Sequence, residues 1–312
     1  MLAAIGYLVF AAWGGWHDVA AASTRVGWSG TALLLLLSLA NYLLRFVRWQ
    51  IYLRQLGHRV PWNPSLTIYL AGFALTTTPG KIGETLRSVF LKPWGVPNTA
   101  SVAAFLSERL SDLFAIVILA AIGLGAHPQW RPLVLTAAAM CAVGVLLLGA
   151  GRVSLMARAG AASPRLSRVL HKLSVTATAA RDCHRPAAVI PATALSLAAW
   201  SAEAFAFHLL LGWLGLQPDI TFSFFIYAAG MLAGALSMLP GGLGGAEAAM
   251  MGLMLWAGYP QPTAVAAVLL IRLATLWFAV VLGMAALARL WFGQRQRAGG
   301  ATGVGVKPES LP

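Results

Sequence analysis

From Thr263 to Leu287 the chain runs for 25 residues with a single charge, Arg272. A helix of about 20 apolar residues spans the hydrocarbon core of a bilayer. Two further runs, Thr31–Leu44 and Leu133–Leu148, approach that length. Only 10% of the 312 residues are charged and 59% are apolar, whereas a soluble domain is about 25% charged. The chain reads as a polytopic, all-α membrane protein.

Crossings are expected near 2–21, 30–53, 101–125, 131–150, 187–212 and 263–288. Two more apolar stretches, about 66–95 and 221–258, do not read as single spans. Pro79-Gly80 breaks the first and Pro240-Gly241-Gly242 the second. Proline removes a backbone donor and glycine admits unusual dihedrals, so a helix stops and restarts there. Exposed backbone at membrane depth is tolerated only inside protein or against a wet cavity. The expected fold is a helix bundle of about six full spans plus two re-entrant hairpins. It forms one transmembrane domain over 1–290, followed by a disordered cytoplasmic tail, 291–312.

The net charge of +13 does not point to nucleic acid, because no nucleic-acid-binding motif accompanies it. Its distribution carries the information. Between Arg152 and Arg185 there are seven Lys or Arg and one acid, Asp182. Arg54, Arg59, Arg289, Arg295, Arg297 and Lys307 add to the same side, while the turns near 18–25, 127–131 and 217–219 are nearly neutral. The positive-inside rule puts the basic segments, and with them both termini, in the cytoplasm. The first 16 residues lack a basic leader, so they are read as a span rather than a cleaved signal. In the linker 151–186, Ser163-Pro164 marks a helix start. Leu166, Val169, Leu170 and Leu173 share one face of that helix, which suits either the anionic inner leaflet or a solvated connector. Cys141 and Cys183 are not expected to pair.

An internal repeat organises the rest. SLANYLLRFVRWQIYLRQLG (38–57) aligns with SLAAWSAEAFAFHLLLGWLG (196–215) at an offset of 158. At that offset YLAG (69–72) meets YAAG (227–230), and with a small insertion PGKIGE (79–84) meets PGGLGGAE (240–247). Glu84 to Arg109 is 25 residues, and so is Glu247 to Arg272. Repeat 1 covers about 30–125 and repeat 2 about 187–290. If both broken stretches are re-entrant, the halves are inverted, a transporter design with its site at the helix breaks.

A charge at the bilayer centre costs about 2.5–3.5 kcal/mol on insertion scales, so each needs a reason. The candidates for substrate binding are Lys81, Glu84, Arg87, Glu108, Arg109, Asp112, Glu247 and Arg272. Lys81, Arg109 and Arg272 suit a phosphate-bearing headgroup, assisted by helix N-termini at the breaks. Glu84 and Glu247 then balance those cations, contact a cationic headgroup or carry a proton. Glu84 and Arg87, three apart, share a face and can pair. Glu108, Arg109 and Asp112 straddle the start of a span, and Arg45 aligns with Glu203. The competing reading makes all of these ion pairs that merely hold the bundle. Gly230 and Gly234 form a GxxxG suited to helix packing, and His208 reads as a packing residue. No catalytic motif, nucleotide site or metal-ligand spacing is found, so neither catalysis nor a cofactor is expected.

PGKIGETLRS (79–88), SERLSD (107–112) and LPGGLGGAE (239–247) resemble the flippase-like transmembrane family typified by the membrane region of lysylphosphatidylglycerol synthases. The likeness covers about 30–290. It implies a bacterial or archaeal plasma-membrane protein that moves a lipid or lipid-linked headgroup between leaflets. Relatives are associated with aminoacylated phospholipids, polyprenyl-linked sugars and hopanoids. The bifunctional members continue into an aminoacyl-transferase domain, which is absent from this sequence, so lysyl transfer is not carried over. The expected partner is a membrane lipid, with further copies of the chain as an option. The rival readings are a lipid-modifying enzyme, an accessory to a polyprenyl-lipid or glycosyltransferase pathway, and a structural scaffold.

Overall fold

The computed structural model describes residues 16–123, 128–149, 164–237 and 239–301. Among these residues every regular element is helical. The α-helices are α1 (Trp16–Gln55), α2 (Trp62–Phe73), α3 (Arg87–Leu91), α4 (Asn98–Ile122), α5 (Arg131–Gly149), α6 (Pro164–Cys183), α7 (Pro186–Trp213), α8 (Ile220–Leu236), α9 (Gly245–Trp256), α10 (Gln261–Arg272) and α11 (Phe278–Ala301). Among the described residues three helical stretches are by themselves long and apolar enough to cross a membrane: Val19–Gln55, Pro186–Trp213 and Gln261–Gly293. The last contains a wide π-turn at Leu273–Trp277, directly after Arg272.

The start of α1 differs from the expectation. A turn near 18–25 was expected between two spans, but these residues are helical. Alanines 20–22 favour helix, and the Ser23 and Thr24 hydroxyls donate back to the Ala20 and Ala21 carbonyls at 2.7 Å. The interruption falls instead at Gly27, whose φ of 65° suits only glycine. Residues 2–15 of the expected first span, 2–21, lie outside the described residues.

Two further boundaries move. Glu108, Arg109 and Asp112 do not straddle the start of α4, which begins at Asn98; Glu108 lies about 15 Å along it. The tail expected to be disordered from 291 is helical as far as Ala301. Residues 302–312 lie outside the described residues. The linker helix α6 begins at Pro164, where the Ser-Pro signal puts it. It buries Ala180 and Cys183, packs along α4, and leaves Leu173 exposed. The side chains of Leu166, Val169 and Leu170 lie outside the described residues.

Both broken stretches stop and restart. After α2 the chain turns into a 3₁₀ segment, Pro79–Leu86, before α3. After α8 it passes through the 3₁₀ turn Pro240–Gly242 before α9. Gly241, Gly242 and Gly244 all have positive φ there, a conformation that glycine adopts without steric cost. Asp219 caps α8, its Oδ1 accepting from the Thr221 N–H at 2.7 Å and the Phe222 N–H at 3.2 Å. The GxxxG brings α8 against α9: a Cβ on Gly230 would lie 2.4 Å from Met250 Cγ, and one on Gly234 3.0 Å from Ala246 Cβ.

The helices interlock across the two halves. The most extensive pairing is α1 along α7, with Asn41 Nδ2 donating to the Ala199 carbonyl at 2.8 Å. α2 packs on α11 and α8 packs on α4, so an arm of each broken segment rests on the closing helix of the other half. One apolar core gathers around Phe207, Leu210, Phe225 and Ile226. A second gathers around Trp49, Tyr52, Tyr69 and Phe73. The polar network lies beside both.

Candidate functional site

The two breaks touch. The Pro79–Leu86 segment packs against Pro240–Gly242, and a Cβ on Gly241 would lie 3.5 Å from Thr77 Cα. Beside them stand the two pairs spaced by 25 residues. Arg272 Nε donates to Glu247 Oε1 at 2.6 Å, and Arg109 Nη2 lies 3.6 Å from Glu84 Oε2.

Local structure explains the second-half pair. Glu247 sits in the first turn of α9, where its Oε2 accepts from the Gly244 N–H at 2.7 Å. A carboxylate at a helix N-terminus gains from the helix dipole. Arg272 ends α10 and reaches over the break, its Nη2 donating to the Gly241 carbonyl at 3.0 Å. One side chain thus ties together α9, α10 and the Pro-Gly turn.

The first-half pair belongs to a larger network. Arg87 donates to Glu84 and to Glu108, both at 2.8 Å, and its guanidinium lies 4.3 Å from the centre of the Tyr69 ring. Asp112 is the hub on α4. It receives Arg48 at 2.7 Å and Trp200 Nε1 at 3.0 Å, with Arg109 at 3.1 Å and Arg45 at 3.3 Å. Arg45 also faces the Trp200 ring at 5.5 Å. Glu203 accepts from Tyr227 Oη at 2.5 Å. Arg45, Arg48, Arg87, Arg109 and Arg272 thus lie among Glu84, Glu108, Asp112, Glu203 and Glu247, five basic side chains with five acidic ones. Balance is what burial demands, because an uncompensated charge in low dielectric is far costlier than a paired one.

A cavity of about 290 Å³ opens against the network. Arg109, Asp112 and Arg272 line one part, with the backbone of Gly241 and Gly242 beside them. Leu113, Ile116, Met140, Leu232, Leu236 and Leu239 line the remainder. A smaller cavity of about 50 Å³ is lined by Tyr42, Arg45, Thr76, Glu84, Glu203 and Tyr227, among others. Trp200, Met231 and Arg272 border both.

The expected binding residues therefore fall into two groups. Glu84, Arg109, Asp112 and Arg272 line a cavity. Arg87, Glu108 and Glu247 sit behind them, each ion-paired to a neighbour that fixes its position. The side chains of Pro79 and Lys81 lie outside the described residues; the backbone of Pro79, Gly80 and Lys81 forms the start of the 3₁₀ segment. Sequence reasoning missed Tyr42 and Trp200 as cavity walls and gave Tyr227 no role, although the alignment of YLAG with YAAG marks Tyr227 as the counterpart of Tyr69. His208 is a packing residue, its Nδ1 3.0 Å from Ser223 Oγ. Cys141 and Cys183 are free thiols. Among the described residues no group of His, Cys, Asp and Glu is placed to hold a metal.

Residues 1–283 match the family described as the lysylphosphatidylglycerol synthase TM region. No curated protein matches the chain.

Proposed function

This chain belongs to the family of the lysylphosphatidylglycerol synthase TM region, and from that premise we propose that it translocates a lipid or lipid-linked headgroup between leaflets. The observation that carries the proposal is the cavity faced by Arg109 and Arg272. These two arginines stand at aligned places in the two halves of the sequence and share one chamber with Asp112, whose other lining side chains are mostly apolar. A phosphate-bearing headgroup suits the arginine end, since guanidinium groups form charge-assisted bonds to phosphate oxygens. The hydrocarbon suits the leucine end.

An inverted-repeat architecture fits the same facts. Asn41 touches its own counterpart, Ala199, and the two Pro-Gly segments meet. The exchange of α2 onto α11 and α8 onto α4 is what a pseudo-two-fold axis between the halves requires. In this reading α2–α3 and α8–α9 are re-entrant hairpins opening to opposite faces of a plasma membrane, both termini are cytoplasmic, and access alternates around the contact between the breaks. The smaller chamber supplies carboxylates, Glu84 and Glu203, within reach of the same space as Arg272. Those carboxylates suit either a coupled proton or a cationic part of the headgroup.

The test is leaflet exchange in liposomes carrying fluorescent phospholipid, glycolipid and polyprenyl-phosphate probes. Wild type is compared with Glu84→Gln, Arg272→Ala and the charge-conserving Arg272→Lys, with and without a pH gradient. Exchange of one probe class by wild type, lost in variants that remain folded, supports translocation. Absence of exchange for every probe by well-folded wild type sinks it and leaves a lipid-modifying or accessory role to be tested by turnover of a polyprenyl lipid.

A further inference from the structure

The corner between α1 and α2 forms an open cleft of about 560 Å³, lined by Arg54, Arg59, Val60, Pro61 and Trp62. It shares no lining residue with either central cavity. We infer that this cleft binds the phosphate of an anionic phospholipid at the membrane–water border. The inference needs only that the chain is embedded in a membrane, and it holds whether or not the central cavity translocates lipid.

Position comes first. Arg54 lies in the last turn of α1, at the end of the apolar stretch Val19–Gln55. A charged side chain at the end of a span sits at headgroup level.

Charge comes second. Arg54 and Arg59 are exposed and enter no ion pair among the described residues. The sequence offers them no local counter-ion, because no Asp or Glu occurs between Asp18 and Glu84. Glu84 itself is buried and bound to Arg87. By contrast Arg185, also basic and exposed, pairs with Asp182 at 2.7 Å. Two guanidinium groups facing one cleft without a carboxylate suit a phosphodiester.

Rigidity comes third. Gly57, at φ +82°, ends α1, and the turn is closed by His58 N–H to the Leu53 carbonyl at 2.8 Å. Val60 is buried and Pro61 fixes the entry into α2. The Trp62 ring packs edge-on against Phe46 at 5.4 Å, yet the residue is 52% exposed. Arg54 lies over that ring at 5.9 Å. The indole is thus anchored to the core on one side and free on the other, as interfacial tryptophans are. It offers an apolar wall for the upper part of an acyl chain, which inorganic phosphate lacks.

The full chain would be reconstituted in bilayers of phosphatidylcholine with phosphatidylglycerol, and retained lipids counted by native mass spectrometry. Wild type is expected to retain phosphatidylglycerol over phosphatidylcholine, and Arg54→Gln/Arg59→Gln to weaken that retention about tenfold or more. Both substitutions are on exposed side chains, so an unchanged melting temperature is expected to accompany the loss. Arg109→Gln is expected to leave this lipid bound. Equal retention by wild type and the double variant would overturn the inference, as would loss in Arg109→Gln alone, which would assign the lipid to the central cavity. Displacement by inorganic phosphate at the concentration of the lipid would also overturn it, by showing a site for soluble phosphate.

Discussion

Asn41 donates its amide proton to the Ala199 carbonyl at 2.8 Å, and the two residues stand 158 positions apart, the offset of the internal repeat. In the proposed inverted repeat, aligned residues of the two halves touch only near the axis that relates them. The bond therefore marks the seam between α1 and α7, the most extensive helix pairing in the bundle. Hydrogen bonds between membrane helices average about 0.6 kcal/mol and reach about 1.7. Asn41→Ala is expected to lower stability by that order in a detergent unfolding titration. Asn41→Asp, which removes the donor and adds a charge, is expected to cost more.

Arg272 and Glu247 are buried and bound at 2.6 Å. Breaking a buried pair by removing one partner costs about 3–5 kcal/mol, while removing both charges together is far milder. Arg272→Ala and Glu247→Ala are each expected to destabilise the bundle strongly, and Glu247→Gln/Arg272→Gln to recover most of the loss. Arg272→Lys keeps the charge but cannot reach both Glu247 and the Gly241 carbonyl as a fork. It is expected to fold and to slow leaflet exchange. Exchange at the wild-type rate in a folded double Gln variant would reduce the pair to a structural tie.

Gly283 on α11 is packed against α2. A Cβ there would lie 2.2 Å from Ala74 N and 2.6 Å from Phe73 C. These are backbone atoms, so no rotamer can yield, and α11 must part from α2. Gly283→Ala is expected to cost about 1–3 kcal/mol, the range for overpacking. Gly252→Ala, which meets nothing within 4 Å, is expected to be neutral or stabilising by up to about 1 kcal/mol through helix propensity. Thermal unfolding of the two variants side by side checks the contrast.

Cys183 closes α6 and is buried. Burial pushes its thiol up to about 12. The thiolate is the reactive form, and a thiol held that far above pH 8 stays almost wholly protonated. Maleimide labelling of the native protein at pH 8 is therefore expected to be near zero for Cys183, and to appear on denaturation. Rapid native labelling that maps to Cys183 would show that α6 detaches from α4.

Much of the site is legible in the sequence because it depends on local chemistry repeated twice. The Pro-Gly pairs mark the 3₁₀ segments that follow α2 and α8. The common 25-residue spacing points to Glu84 with Arg109 and to Glu247 with Arg272. What the sequence hides is long-range approach. Nothing near Asp112 signals that Arg45, Arg48 and Trp200 converge on it, because those contacts depend on how α1, α4 and α7 pack. The break in α1 is hidden for another reason. Polar residues near 18–25 imitate a turn, yet Ser23 and Thr24 satisfy their hydroxyls on the helix itself, and the chain yields only at Gly27.

The balance of the buried network, five arginines against five carboxylates, has an electrical consequence. The transmembrane field does about 2.3 kcal/mol of work on each elementary charge moved through 100 mV. If all ten side chains are ionised and shift together, the work on the arginines and on the carboxylates cancels. The network itself is then silent to voltage. Any voltage dependence measured for lipid movement then reports the charge of the passenger, or of a proton carried with it on Glu84 or Glu203, rather than that of the ionised network itself.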